Sequence, residues 1–353
     1  MADVSRRDRA QMVLITSLLI ASVFVGLALV VNSAIYTENL ATRETSSDTT
    51  ESLEHVQLVE RDLQKLVDRS NAAVTGDDYN AVKNGYESDL ALWASSQERR
   101  YGATGRHVSY QQEYTTEGTR IQQTDIDRNF TAGGSVAGKD EWSPVNGTTE
   151  AGEFEMTIQR LSLLDATTAT IDEMISEAFH VVIEEESSGD TWRVFVFRGG
   201  SPGTGYVLVE TPSEDFSALS LDFSSYTGNG CASQDSNITM DLVNASFGGE
   251  HCSVLEFYTD DVTGNSHNIS YRNTKTDGGA LGLTLTDPED RVTGTYNLTV
   301  DTRADRTPYY DPDSGDDPDA KAIIYEAAIS IEFRTRQTRH GNEDLSAKWS
   351  RVA

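Results

Sequence analysis

The chain has 353 residues and a formal net charge of −29, with 57 Asp plus Glu against 28 Lys plus Arg, and 37% of it is hydrophobic, including 14 Tyr, 11 Phe and 4 Trp. That apolar content is enough to build the core of a domain or two, so the acidity does not imply a disordered chain. The carboxylates repel phosphate and no Lys/Arg cluster follows Arg9, which excludes nucleic acid as a partner.

The first element is announced by Arg6, Arg7 and Arg9. Residues 11–37 then carry no charged side chain, and Met12 to Val31 is a nearly unbroken apolar run. Twenty helical residues cover about 30 Å, the hydrocarbon thickness of a bilayer. The arginines ahead of the run place the amino terminus in the cytoplasm and the residues after Tyr36 outside the cell, which predicts a single-pass membrane protein held by residues 12–31. A conventional secretory signal fits poorly: cleavage after Ala34 puts Asn32 at −3, and the apolar run is too long. The Arg6–Arg7 pair is followed by Asp8, Arg9 and Ala10 rather than an apolar residue, and no lipid-accepting Cys follows. A retained helix remains, and Ala21, Ser22, Gly26 and Ala28 give it small surfaces for close helix packing.

Basic residues running directly into "AQMVLITSLLI" resemble the class III signal of archaeal type IV pilins and pilin-like proteins. The resemblance covers about the first 35 residues. It implies cleavage between Ala10 and Gln11 by a prepilin peptidase-like enzyme, and assembly with other pilin-like subunits through the helix. The bacterial pattern has a Glu five residues into the mature chain; here Thr16, Ser17 and Leu18 fill that neighbourhood. An uncleaved signal anchor is the competing reading of the same segment. With 22 Arg but only 6 Lys, the acidic composition also resembles that of salt-accumulating haloarchaea, where about 1 M salt contracts the Debye length to about 3 Å. An acidic surface shaped for one basic partner is the alternative.

Residues 37–99 read as helical stalk or packing helices. Asp48 with Glu51 has the form of a capping box for a new helix, and the Ser/Thr cluster at Thr45 to Thr50 predicts a kink before it. Val56, Val59, Leu63 and Leu66 form one apolar stripe, and Val82, Tyr86, Leu90 and Trp93 form another. Residues 100–178 read as a mixed, loop-rich part of a head. From 179 to 353 the period becomes two: "TWRVFVFRG", "GYVLVETP", "ALSLDFSSY", "ITMDLVN", "SVLEFYTD", "NISYRN", "LGLTLT", "TYNLTVDT" and "IYEAAISIEFRTR" predict strands of an antiparallel sandwich. The expected class is therefore α+β: a transmembrane helix continuing into an amphipathic helix, then a mostly antiparallel, β-sandwich-like ectodomain.

Cys231 and Cys252 are the only cysteines, and a pair outside the membrane predicts a disulfide. N-x-[ST] acceptors for glycans occur at Asn129, Asn146, Asn237, Asn244, Asn268 and Asn297, with Asn268 and Asn297 expected on solvent faces of strands. Asp311, Asp313, Asp316, Asp317 and Asp319 cluster in one loop and offer oxygen ligands for Ca²⁺. The EF-hand register fails, since Gly315 falls at position 5 and Ala322 at position 12, and a solvated turn is the expected state. Gly133, Gly138 and Lys139 match a P-loop spacing, but Asp140 stands where a Mg²⁺-holding Ser or Thr belongs, so that stretch reads as a loop. "RGGSPGTG" reads as a hairpin turn. No converging catalytic set is visible, and the expectation is a structural or adhesive surface protein with no catalytic residue and no cofactor; a monomeric anchored ectodomain that binds a ligand or cell-envelope partner is the alternative.

Overall fold

The structure, a computed structural model, describes residues 4–73, 76–200, 203–213, 230–274, 292–304, 309–310, 318–334 and 339–348. The predicted strands at 218–226 and 281–286 lie outside the described residues.

The chain opens with one helix, α1 (Val4–Ala73). No new helix starts at Asp48: α1 runs without a break through Thr45 to Thr50, where a kink was expected. Ser and Thr cost a helix only tenths of a kcal/mol each, about 0.5, whereas Gly costs about 1 and Pro about 3. After Gly26 the next glycine is Gly76 and the first proline is Pro144, so nothing strong enough to stop the helix occurs before Gly76, at φ +112°. The buried positions on its last turns are His55, Val59, Leu63, Val67 and Ser70. Val56 and Leu66, expected in the stripe, are half-buried, so the buried face is rotated slightly from the predicted one. In α2 (Tyr79–Gly102), Val82, Tyr86 and Leu90 are buried as the spacing requires.

By contacts the chain divides into two compact units: residues 1–59, 97–109 and 331–343, and residues 60–96, 110–330 and 344–353. Within the first, the buried His55 ring meets Tyr101 edge-on at 4.6 Å. Within the second, α1 and α2 are joined by Trp93 Nε1 donating to Asp62 at 3.3 Å and by the Arg69–Asp89 ion pair at 3.4 Å. Asn71 then imitates a strand edge: its carboxamide donates to the Ile324 carbonyl at 2.9 Å and accepts from the Ile324 N–H at 2.8 Å.

The strands are β1 (His107–Gln123), β2 (Trp142–Thr148), β3 (Ala151–Gln159), β4 (His180–Glu185), β5 (Thr191–Gly199), β6 (Thr204–Glu210), β7 (Gly230–Ser233), β8 (Asn237–Asp241), β9 (Ser246–Phe247), β10 (Glu250–His251), β11 (His267–Arg272), β12 (Gly294–Val300), β13 (Asp319–Arg334) and β14 (Arg339–Lys348), with a short helix α3 (Ile171–Glu177) between β3 and β4. They form two antiparallel sheets, an eight-stranded one in the order β10-β9-β8-β3-β12-β1-β13-β14 and a six-stranded one in the order β2-β11-β4-β5-β6-β7. Strands β1 to β3 stand in the stretch expected to be mixed and loop-rich, with only short strands. They pair in the same two sheets as the strands after residue 179. The segment Ser253 to Asp260, expected as a strand, falls in a 3₁₀ turn followed by a π-helical turn that runs to Val262. The buried residues from Ser253 to Val262 are Leu255, Phe257, Tyr258 and Val262; Leu255, Tyr258 and Val262 recur at three and four, a helical period, with Phe257 beside them.

The core lies between the sheets. Phe154, Met156 and Ile158 of β3 and Leu298 of β12 face Val181 and Ile183 of β4, Val194 and Val196 of β5, and Ile269 and Tyr271 of β11, all buried, as two inner faces of a sandwich must be. An aromatic group fills one region: Trp142 meets Tyr271 at 5.5 Å, Tyr271 meets Tyr296 at 5.5 Å, and Phe130 meets Phe179 at 5.3 Å. Trp142 Nε1 donates to the Phe130 carbonyl at 2.8 Å, so the indole is buried without an unmet donor. In β12, Tyr296, Leu298 and Val300 are buried as predicted, but so is Thr299, expected outside. It lies directly between Glu153 and Arg120 in the register, and those longer side chains flank it on the same face.

A smaller cluster on the outer face of the six-stranded sheet joins Phe195, Phe197 and Leu208 to Met174 of α3 and to Leu164 and Ala178 beside it. A capping box between Thr170 and Glu173 starts α3.

Candidate functional site

The residue pattern places one conspicuous feature on α1. Ile15–Ser33 has a mean hydropathy of 2.3 and is wholly unburied, long and apolar enough to cross a membrane. From Val13 to Ile35 the exposed side chains include Leu18 at 72%, Leu19, Phe24 at 65%, Leu29 and Val30. They surround the helix rather than forming one stripe, which is the pattern of a helix in an apolar medium and not of one packed on a protein core. Each such side chain is worth about 1.5–3 kcal/mol when removed from water, and a contiguous apolar surface of this size is far larger than soluble monomers expose. A hydroxyl in the run fits that medium: Ser22 Oγ donates back to the carbonyls of Leu18 and Leu19, each at 2.9 Å. Around Gly26, an added Cβ would meet nothing within 4 Å, so that side of the helix is open to a close neighbour.

A second feature lies on the six-stranded sheet. Alternation along β4 sends Val181 and Ile183 into the core and His180, Val182 and Glu184 outward. The register sets His180 between Arg272 and Phe195, Val182 between Ser270 and Arg193, and Glu184 between Asn268 and Thr191. Of these, His180, Val182, Glu184, Thr191, Arg193 and Arg272 floor a groove of about 500 Å³ whose wall is Ile175 and Ser176 of α3 together with Asn273. Arg193 donates to Glu210 at 2.8 Å and Arg272 to Glu141 at 3.0 Å. Asn273, at φ +53°, donates to the carbonyls of Ser176 at 2.9 Å and Ala178 at 3.1 Å, which ties the wall to the sheet. His180 is 8% exposed, and its ring lies tilted against Phe195 with centroids 4.7 Å apart. Its Nδ1 is 2.9 Å from the Ala178 carbonyl, an acceptor only, so Nδ1 carries the hydrogen. Burial lowers its pKa; the Ala178 bond opposes this, and Arg193 and Arg272 add to it. The ring is therefore neutral near pH 7, with a bare lone pair on Nε2.

The remaining expected sites fall as follows. Cys231 and Cys252 are disulfide-bonded. Asn146, Asn237 and Asn244 are exposed, while Asn129, Asn268 and Asn297 are half-buried. The last two lie on the strand faces turned away from the core, where the Asn268 Oδ1 accepts from the Gly147 N–H at 2.9 Å and the Asn297 Oδ1 from Arg120 at 3.2 Å. Of the acidic cluster, Asp311, Asp313, Asp316 and Asp317 lie outside the described residues; Asp319 opens β13 and pairs with Lys321 at 3.2 Å. Ala10 and Gln11 lie within α1. Gly133 to Lys139 form a loop around a 3₁₀ turn, with the Lys139 ammonium 6.0 Å from the Tyr309 ring. "RGGSPGTG" joins the hairpin β5–β6, which closes at Gly199 opposite Thr204. The groove residues were missed by sequence reasoning; the outward positions of "HVVIEE", His180 and Glu184, were its one legible trace.

Comparison with known proteins adds a single match. Residues 6–138 match a family described as a family of unknown function (DUF7261), a span that takes in the apolar helix, α2 and β1. No curated protein and no solved structure matches the chain.

Proposed function

We propose that this chain is a pilin-like, membrane-anchored surface protein of a halophilic archaeon, with its amino terminus in the cytoplasm and its β-rich head outside the cell. The observation that carries the reading is the bare apolar segment Ile15–Ser33 within a helix that continues unbroken into the head-packing residues Leu63 and Val67. Held in lipid, such a helix exchanges lipid contacts for contacts with its own kind, so filament assembly requires no chemistry in the head. Cleavage between Ala10 and Gln11 removes the arginines and frees the helix to leave the bilayer. The size of the head fits a minor pilin or pseudopilin better than a bulk subunit. Glycans at exposed acceptors such as Asn146, Asn237 and Asn244 complete the surface.

Mass spectrometry of the native amino terminus tests the reading. A chain beginning at Gln11, together with helix-to-helix cross-links in sheared surface filaments, is the expected result. A chain beginning at Met1 or Ala2 and confined to membranes supports the second reading, a signal-anchored monomer whose head binds a ligand. The groove beside His180 favours that second reading.

A further inference from the structure

The outer groove of the six-stranded sheet has a composition that selects among ligands. Two carboxylates, Glu141 and Glu184, line it with two guanidiniums, those of Arg193 and Arg272, and Glu210, outside the lining, pairs with Arg193. The fixed charges sum to about −1, and both guanidiniums already hold a carboxylate. An anion entering this groove meets an excess of like charge and the His180 lone pair. A metal ion finds too few ligands: among the described residues no group of three or more His, Cys, Asp or Glu is arranged to hold one. A group that both donates and accepts is what the lining asks for. His180 Nε2 needs a donor, Glu184 accepts, and the arginine edges not turned to their carboxylates donate. Between these polar groups, Val182 on the floor and Ile175 on the wall form an apolar patch suited to the C–H face of a sugar ring.

We propose that this groove is a binding site for a neutral saccharide, with His180 Nε2 accepting a sugar hydroxyl and Val182 and Ile175 carrying the ring. His180 is the keystone because it is nine-tenths buried and held from two sides, by the Ala178 carbonyl and by Phe195, so that Nε2 is pre-aimed and loses little freedom on binding. A volume of about 500 Å³ is within the ordinary range of small-molecule sites and accommodates two to three sugar rings, to order of magnitude. This inference uses only the head; it holds whether or not the apolar helix assembles.

The test uses the full chain in detergent at molar salt. It is titrated with tetrasaccharides of glucose, mannose, galactose and N-acetylglucosamine, and with a polygalacturonate tetramer as the anionic comparison, followed by saturation-transfer NMR and calorimetry. Saturable binding of at least one neutral tetrasaccharide is expected, with the uronate at least tenfold weaker. His180→Phe keeps a ring beside Phe195 and removes the acceptor; it should weaken that binding at least tenfold in a protein that still melts cooperatively. If His180→Phe does not fold, Val182→Lys, which fills a half-exposed floor position, should have the same effect. Absence of saturable binding by all four neutral probes overturns the proposal. So does preference for the uronate, or undiminished binding by the folded variants.

Discussion

Removing the disulfide gives the sharpest test of how the head is held together. Cys231 lies in β7, the last strand of the six-stranded sheet, and Cys252 follows β10, the last strand of the eight-stranded one, so the bond stitches the two sheets at one edge. The cysteines are 21 residues apart, and closing a loop of about 22 residues lowers the unfolded chain's entropy by an amount worth about 3 kcal/mol. For a domain of 150–250 residues each kcal/mol moves the melting temperature by about 2–4 °C, so the expected drop is about 6–12 °C. Cys231→Ala is the variant of choice because Cys231 is only half-buried, whereas Cys252 is fully buried and its remaining thiol keeps its site filled. Melts of the full chain by circular dichroism at fixed molar salt, wild type against variant, read the effect. A shift under 2 °C would refute the argument from chain entropy, and complete failure to fold would show that the bond does more than the loop length accounts for.

Other perturbations probe separate parts of the molecule. At Gly118 in β1 an added Cβ would lie 2.8 Å from the Tyr325 Cβ and press on the Val300 carbonyl, so Gly118→Ala should cost about 1–3 kcal/mol in a denaturant titration. Burial lowers the pKa of His55 to about 4 and also lowers those of His180 and His267. The unfolded chain therefore binds more protons below pH 6.5, and the stability these groups confer is complete above that pH and is lost as it falls toward the folded values. Melting temperatures measured from pH 7.5 to 5 should fall, and His267→Gln should flatten the slope. With a net charge of −29, the head should lose its near-ultraviolet dichroism between molar and millimolar salt; a spectrum unchanged over that range would count against folding that depends on screening.

Strands with strong alternation were readable directly, as in β12, where Tyr296, Leu298 and Val300 alternate with polar residues. The disulfide was readable because only two cysteines exist. What escaped prediction has physical causes. β1 reads "HVSYQQEYTTEGTRIQQ", and its outer half is exposed and polar, so no core face shows in its residues. "SVLEFYTD" contains an apparent alternation, and Leu255 and Phe257 are buried, but the backbone coils into 3₁₀ and π turns that bury Tyr258 and Val262 as well. α1 passes through its Ser/Thr cluster because weak propensities are overridden by continuity on either side. The groove was invisible for another reason: Glu141, His180, Arg193 and Arg272 are separated by up to 131 residues along the chain and meet only through strand register.

The packed aromatic group between the sheets also makes the head optically self-reporting. Trp142 and Trp192 are both buried there, and the phenol of Tyr271 is held protonated by complete burial to well above the usual tyrosine range. Indole emission is blue-shifted in such surroundings and reddens when water reaches the ring, while a phenol of this kind absorbs as phenolate only after the sheets separate. Integrity of the β-rich part can therefore be followed by its own light, with no dye attached.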